Sequence, residues 1–283
     1  MPQSAASSVG GLVEWGSGVL VAASATPRLD SELLLSHVVD RPRSAIVAFP
    51  ENAVSAAREK RFRDLINERG QGVPLAYLTG TREFYSLELE VTRETLVPRP
   101  ETELLVELSL QLLSEQSSAD VLELGTGSGA IALALKSERP DLNLTALDVS
   151  PAALAVAQRN AERLALDVRW LLSSWFEALG SESFDLIVSN PPYVATADPH
   201  FAGDLRHEPR AALAAGSDGL TAIREILESA GRYLRSGGSI LLEHGFDQGE
   251  AVAAIAREHG FREIETSQDL SGHYRVTMAR APR

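Results

Sequence analysis

From about residue 118 the chain alternates short apolar runs with stretches of helical periodicity. Residues 184–189 read as a buried strand, and residues 120–122, 142–147, 168–172 and 239–243 as further strands. Residues 130–136, 152–164, 220–234 and 249–259 repeat their apolar positions at helical spacing. Ser150-Pro151 is a cap followed by proline at the first helical position. Residues 261–266 and 274–280 read as a closing antiparallel pair, and residues 194–217 as a long polar segment. Alternating strand and helix implies an α/β fold with a mostly parallel sheet covered on both faces. In such a fold, ligands bind at the carboxyl ends of the strands.

The earlier part of the chain has a different rhythm. Residues 29–39 have helical periodicity, with Asp30 or Ser31 as cap, and residues 53–69 form a second helix closed by Gly70. Residues 1–11 are small and polar and read as a loose tail, and residues 12–75 as a small helical domain. Gln71-Gly72-Val73-Pro74 has linker composition, and Phe84, Tyr85, Leu87, Leu89 and Val91 alternate as in a hairpin. Residues 76–97 are thus linker and hairpin, and residues 98–283 the larger domain. Residues 98–103 then open a helix over 104–113.

Composition narrows the class. The 283 residues have no cysteine, which excludes disulfides and thiolate metal sites, and the six histidines show no metal-ligand spacing, so no metal is expected. The only short apolar stretch near the start, 18–25, has no Lys or Arg before it and follows Glu14, so no signal peptide is expected. No run approaches the ~20 apolar residues of a membrane span. Net charge is −13, and residues 1–80 carry eight basic and eight acidic side chains, so the excess lies beyond them. That argues against a broad phosphate-binding surface. Arg58, Lys60, Arg61 and Arg63 cluster on one helix and read first as a solvated face, second as a docking patch.

Candidate chemistry collects at the strand ends. Glu123-Leu124-Gly125-Thr126-Gly127-Ser128-Gly129 follows a strand and opens a helix, where glycines let backbone pass close to a ligand. Asp148, nineteen residues after Gly129, stands where nucleotide-binding folds hold a ribose by its hydroxyls. The Gly-x-Gly-x-Gly spacing differs from the dinucleotide fingerprint and weighs against a nicotinamide oxidoreductase. Asn190-Pro191-Pro192-Tyr193 ends another strand. Its carboxamide and nearby carbonyls suit a planar group bearing NH2, and its tyrosine offers a flat face. Trp175 falls at a third strand end. Arg99, Glu101 and Glu103 cluster at a helix start, where carboxylates favour the dipole.

The motifs come in a telling order. Pro74 to Gly80, Arg82-Glu83-Phe84-Tyr85, Pro98-Arg99-Pro100-Glu101-Thr102-Glu103, the glycine motif and Asn190 to Tyr193 precede Glu208-Pro209, Asp218-Gly219-Leu220, Glu243-His244-Gly245 and Asp269-Leu270-Ser271-Gly272. Over nearly its whole length the chain resembles the HemK/PrmC family of peptide chain release factor glutamine methyltransferases. The resemblance implies a class I methyltransferase fold, Rossmann-like, with a seven-stranded sheet and a small N-terminal helical domain for substrate recognition. It implies methyl transfer from S-adenosyl-L-methionine, leaving S-adenosyl-L-homocysteine, to the side-chain nitrogen of the glutamine in a Gly-Gly-Gln motif of class 1 release factors. Gly125, Thr126, Gly127, Ser128 and Gly129, with Asp148, Trp175 and Asn190, would hold the cofactor. Asn190, Pro191, Pro192 and Tyr193 would hold the glutamine, with Asn190, Pro191 and Tyr193 carrying the chemistry. Arg99, Glu101, Glu103 and Glu123 are secondary candidates. One departure is Ser174, where many members carry Asp or Glu, which bears on cofactor affinity. A cytoplasmic monomer without stable nucleic-acid or membrane binding is expected. The competing readings are an N-methyltransferase acting on an exocyclic base amine of RNA or DNA, where Asn-Pro-Pro-Tyr serves equally, and a catalytically silent binding module.

Overall fold

The structure is a computed structural model and describes residues 7–203 and 205–281. In chain order the elements are α1 (Val9–Leu20), α2 (Pro27–Val39), α3 (Arg43–Ala48), α4 (Ala56–Gly70), α5 (Leu75–Thr79), β1 (Thr81–Phe84), β2 (Leu87–Glu90), α6 (Glu103–Leu112), β3 (Asp120–Leu124), α7 (Ala130–Glu138), β4 (Asn143–Asp148) and α8 (Pro151–Leu164). They continue with β5 (Arg169–Leu172), β6 (Phe184–Ser189), α9 (Thr221–Ala230), β7 (Leu234–Glu243), α10 (Gly249–Glu258), β8 (Arg262–Gln268) and β9 (Tyr274–Arg280). The chain forms two compact units. One holds the chain up to Thr81 together with Ala202–His207; the other holds Arg82–Phe201 and continues from Glu208.

The first unit is helical, around a core that includes Leu12, Leu20, Leu34, Leu35, Phe62, Leu65 and Ile66. Several local expectations are corrected here. Of the loose tail over 1–11, residues 1–6 lie outside the described residues, and Val9 already begins α1, capped by Ser8, whose Oγ accepts from Gly11 N at 3.2 Å. The second helix starts at Ala56 rather than 53, because Ala53 pairs antiparallel with Ser8 and Val54 N donates to Ser7 O at 2.9 Å. Gly70 is its last residue, and Gly72 (φ 88°) takes the left-handed turn. Thr26, not Asp30 or Ser31, is the N-cap of α2, with Pro27 at the first helical position; Asp30 instead pairs with Arg69 at 2.8 Å. Helix α5 carries this unit past residue 75 to Thr81.

The second unit contains the β1–β2 hairpin and a seven-stranded sheet of order β5-β4-β3-β6-β7-β9-β8. Strands β3 to β7 run parallel, and β9 is antiparallel to both β7 and β8. Side chains alternate across the pleat. Val121, Leu144, Ala146, Leu186 and Val188 join one core with α6 and α7; Leu122, Leu124, Leu147, Ile187 and Leu242 join the other with α9 and α10. Helix α9 is shorter than expected and β7 longer, because Phe184 N donates to Tyr233 O at 2.8 Å and Leu234 pairs with Phe184. That pairing draws residues 234–238 into the sheet.

Register places the ligand end. Leu124 lies opposite both Leu147 and Ser189, and Asp148 opposite Leu172. Gly125, Asp148, Ser173 and Asn190 therefore emerge side by side along one sheet edge. The chain moves outward from β3 through β4 and β5, then returns to β6 on the other side of β3. That reversal is the switch point at which open α/β sheets bind ligands.

Candidate active site

The glycine loop is held by its neighbours before any ligand arrives. Gly125 N and Thr126 N both donate to Leu147 O at 2.9 Å, tying the loop to the end of β4. Gly127 (φ 56°) turns its N–H onto Asp148 Oδ2 at 2.8 Å, a backbone angle that disfavours other residues. At Gly129 (φ 85°) a Cβ would lie 3.1–3.3 Å from Leu133, Ala157 and Trp170, so α7 can start that close only without one.

Past this loop opens a cavity of about 390 Å³, within the usual range for small-molecule sites. Gly125, Thr126, Gly127, Ser128, Asp148, Trp175, Asn190 and Pro192 line it, with Arg99, Thr102, Glu123 and Ser174. Most residues expected to bind a cofactor thus line the same cavity as Asn190 and Pro192 of the motif expected to receive a substrate amide. Gly129, Pro191, Tyr193, Glu101 and Glu103 do not line it. Gly129 serves as the helix cap, and Glu103 Oε1 accepts from Tyr85 N at 2.9 Å. Tyr193, expected to present a flat face, is turned inward, its hydroxyl 3.3 Å from Glu243 Oε1.

Several lining side chains have definite partners. Asp148 accepts from Gly127 N and, through Oδ1, from Ser150 N at 2.8 Å; a carboxylate has about four acceptor positions, so capacity remains. Asn190 Nδ2 donates to Thr102 Oγ1 at 3.1 Å. Trp175 adopts a left-handed backbone (φ 42°), which Ser173 secures by donating from Oγ to Trp175 O at 3.0 Å and accepting from Ala178 N at 3.0 Å. The indole Nε1 donates to Glu225 Oε2 at 2.8 Å. Arg99 pairs with the buried Glu208, whose other oxygen accepts from Val97 N at 3.2 Å.

Burial tunes three acids here. It pushes Glu123 up to about 8, against the hydrogen bonds from Thr126 Oγ1 and Ala132 N, while the Asp148 charge adds to the rise. It pushes Glu243 up to about 7, opposed by the hydroxyls of Thr102 and Tyr193. Burial, then the Glu243 charge, pushes the Tyr193 phenol well above its ordinary value. Among the described residues no cluster of His, Cys, Asp and Glu could hold a metal, and no helix is long and apolar enough to cross a membrane.

Comparison with known proteins assigns the family. Residues 101–219 match the methyltransferase small domain, and residues 11–80 match the PrmC N-terminal domain. The release factor glutamine methyltransferase of Salmonella typhimurium is 49% identical over 259 residues, covering 91% of this chain and 93% of that protein. The chain belongs to the release factor glutamine methyltransferase family. The Escherichia coli release factor glutamine methyltransferase is 48% identical, covering 91% of this chain and 94% of its own length. The fold alone is shared with a T. thermophilus 16S rRNA methyltransferase solved with AdoMet and guanosine, at TM-score 0.52 and 22% identity over 71% of this chain and 49% of that one.

In this member of the release factor glutamine methyltransferase family, several supporting residues escaped sequence reading. Asn160 accepts from Glu90 N at 2.7 Å and donates to Glu90 O at 3.0 Å and Ser128 O at 2.9 Å, joining the hairpin to the glycine loop. Gln248 Nε2 donates to Tyr193 O at 3.1 Å. Gly219 (φ 75°) lies so near that a Cβ would stand 2.3 Å from the same oxygen. Thr102 and Glu243 belonged to quoted motifs, but nothing in their spacing pointed to Asn190. The usable signal was a buried-type polar residue at a strand or helix end, a weak one.

Proposed function

We propose that the protein transfers a methyl group from S-adenosylmethionine to the side-chain amide nitrogen of the glutamine in the Gly-Gly-Gln motif of class 1 peptide chain release factors. The observation that carries this reading is the shared cavity: Asn190, its amide nitrogen held by Thr102, lines the same cavity as the glycine loop and Asp148. Family membership supports the substrate.

The residues present fit the cofactor. Backbone at Gly125 and Gly127 carries no side chain, and a Cβ on Gly127 would meet nothing within 4 Å, leaving room for a methionine moiety and ribose. The spare acceptor positions of Asp148 suit ribose hydroxyls, and Trp175 beside Ser174 offers an apolar wall for adenine. Bound S-adenosylmethionine supplies an electrophilic methyl group on a sulfonium, so the chain has chiefly to supply geometry.

An amide nitrogen is a poor nucleophile because its lone pair is delocalised into the carbonyl. Asn190 Oδ1 accepts a hydrogen bond from the glutamine NH2, places its nitrogen in line with the methyl and favours the tetrahedral shape it adopts; the Pro191 carbonyl, expected from sequence as a second acceptor, does not line the cavity. Near-attack positioning of this kind contributes on the order of 7–11 kcal/mol. Acceptor oxygens also stabilise the positive charge appearing on nitrogen, the inverse of an oxyanion hole. With the cofactor bound, the held nitrogen would take the methyl group as the carbon–sulfur bond breaks with its electron pair left on sulfur, and the surplus amide proton would leave to water. The helical first unit is read as the release-factor recognition part, and the protein as a cytoplasmic monomer.

The deciding experiment offers labelled methyl groups to a release factor and to its Gln→Ala variant. Label on the first alone supports the assignment; equal label on both removes the target glutamine, and label on RNA favours a base-amine methyltransferase. Asn190→Ala lowers kcat by roughly a hundredfold or more while cofactor Kd changes little, which calorimetry and steady-state kinetics separate.

A further inference from the structure

Among the described residues, Trp175 is the only aromatic side chain lining the cavity, so it is the only ring there against which a flat purine can stack. It stands in the turn after β5 with a left-handed backbone (φ 42°), a conformation that bulky residues rarely adopt. The residues on either side hold that turn. Ser173 Oγ donates to Trp175 O at 3.0 Å, and the Phe176 ring stacks on Tyr233, just past α9, with centroids 4.7 Å apart. The benzo edge of the indole reaches the glycine loop, where a Cβ built on Gly125 would stand 3.9 Å from Trp175 Cζ3. At the other end of the ring, Nε1 donates to Glu225 Oε2 at 2.8 Å, from a residue 50 positions away.

Indole has one polar atom, and it is a donor. With that N–H turned onto Glu225, the faces of the ring left for a ligand are apolar. Glu225 does not itself line the cavity and is exposed, so the core of α9 does not require an acid here. The helix under it is fixed, because Ile223 and Ile226 on either side are fully buried. Its neighbour Arg224 pairs with Asp218 at 2.6 Å, which leaves the Glu225 carboxylate to the indole.

We propose that Glu225 is a positioning residue for the cofactor: by tying down the indole Nε1 it holds Trp175 as a preformed aromatic wall for the adenine ring. The inference rests on the reading that the cavity takes S-adenosylmethionine. A ring already held loses less rotamer freedom when its ligand arrives, so affinity gains from preorganisation rather than from a new contact. Released from Glu225, the indole turns more freely about its side-chain bonds, and binding has to order it first.

The test uses the full chain with S-adenosylmethionine, taking Kd from calorimetry and KM and kcat from a release-factor assay. Glu225→Ala keeps a good helix former at an exposed site. It raises cofactor Kd about three- to tenfold, the scale of one ordinary hydrogen bond. The loss falls on Kd and on KM for the cofactor rather than on kcat, because Asn190 is held separately by Thr102. Glu225→Gln keeps an acceptor oxygen and returns Kd to within about twofold of wild type, below the value of one hydrogen bond. Trp175→Phe keeps a ring without an N–H. In that background Glu225→Ala has no further effect, as a double-mutant cycle requires of two residues joined by one contact. With no cofactor present, Glu225→Ala increases acrylamide quenching of tryptophan emission, and the increase vanishes in the Trp175→Phe background, where Trp15 and Trp170 remain. Wild-type Kd in Glu225→Ala would overturn the proposal. So would an equal penalty in the Trp175→Phe background, or failure of Glu225→Gln to restore affinity. If the wild-type chain binds no S-adenosylmethionine, the functional reading falls instead, and the quenching result still shows whether Glu225 holds the ring.

Discussion

Two buried acids carry opposite lessons about a carboxyl group in a core. Glu123 spends its Oε2 on Thr126 Oγ1 and Ala132 N and braces the turn into α7, whereas Glu243 accepts from the Tyr193 hydroxyl and leaves its Oε2 without a hydrogen bond. Both are raised by burial, to about 8 and about 7. Each folded-state value exceeds the ordinary 4.5, so the folded chain binds more protons than the unfolded one between those limits. Their contribution is fully present below about 4.5 and is lost as pH rises toward 8. Glu123→Gln should flatten the pH dependence of Tm over that window, read by thermal unfolding in a series of buffers. A variant with the wild-type slope would show that Glu123 is not the titrating group. Asp148 and Asn190 could be singled out from sequence because each ends an apolar run. Thr102 could not, because its role depends on a residue 88 positions away.

At the scale of elements, the site is built from strand ends and the polar side chains that tie loops to them. Gln248, at the start of α10, and Gly219 together fix the backbone after Pro192. Gly219→Ala places a Cβ against Tyr193 O at a left-handed φ, and should cost about 1–3 kcal/mol of stability. It should also reduce turnover more than cofactor affinity, because the displaced backbone carries Asn190 and not the glycine loop. Chemical denaturation and kinetics on the same variant check both. Asn160→Ala strands Glu90 N and O and Ser128 O, at about 1–3 kcal/mol for each group left unpaired. It should weaken cofactor binding because Ser128 lies in the loop, a result calorimetry would show. Strand existence was clear from apolar runs, whereas ends were misjudged wherever a distant partner intervened. Ala53 beside Ser8 and Tyr233 beside Phe184 are the clear cases.

At the scale of the whole molecule, charge and connectivity set what the protein can meet. The net charge of −13 falls beyond residue 80, which disfavours counterion-driven binding to nucleic acid. Filter binding to RNA or DNA at about 0.15 M salt should therefore show no saturable complex; submicromolar binding would contradict this, given that non-specific Kd values typically lie at about 10⁻⁴–10⁻⁶ M.

The amino-acid sequence by itself determined the alternation of strands and helices, the glycine turn, the acid nineteen residues on and the strand-ending Asn190, because these depend on neighbours a few positions apart. Only the tertiary structure decided which of them share a cavity, which way Tyr193 turns and what orients Asn190. Those outcomes follow from strand order and from hydrogen bonds between segments far apart in the chain, and local periodicity contains no record of either.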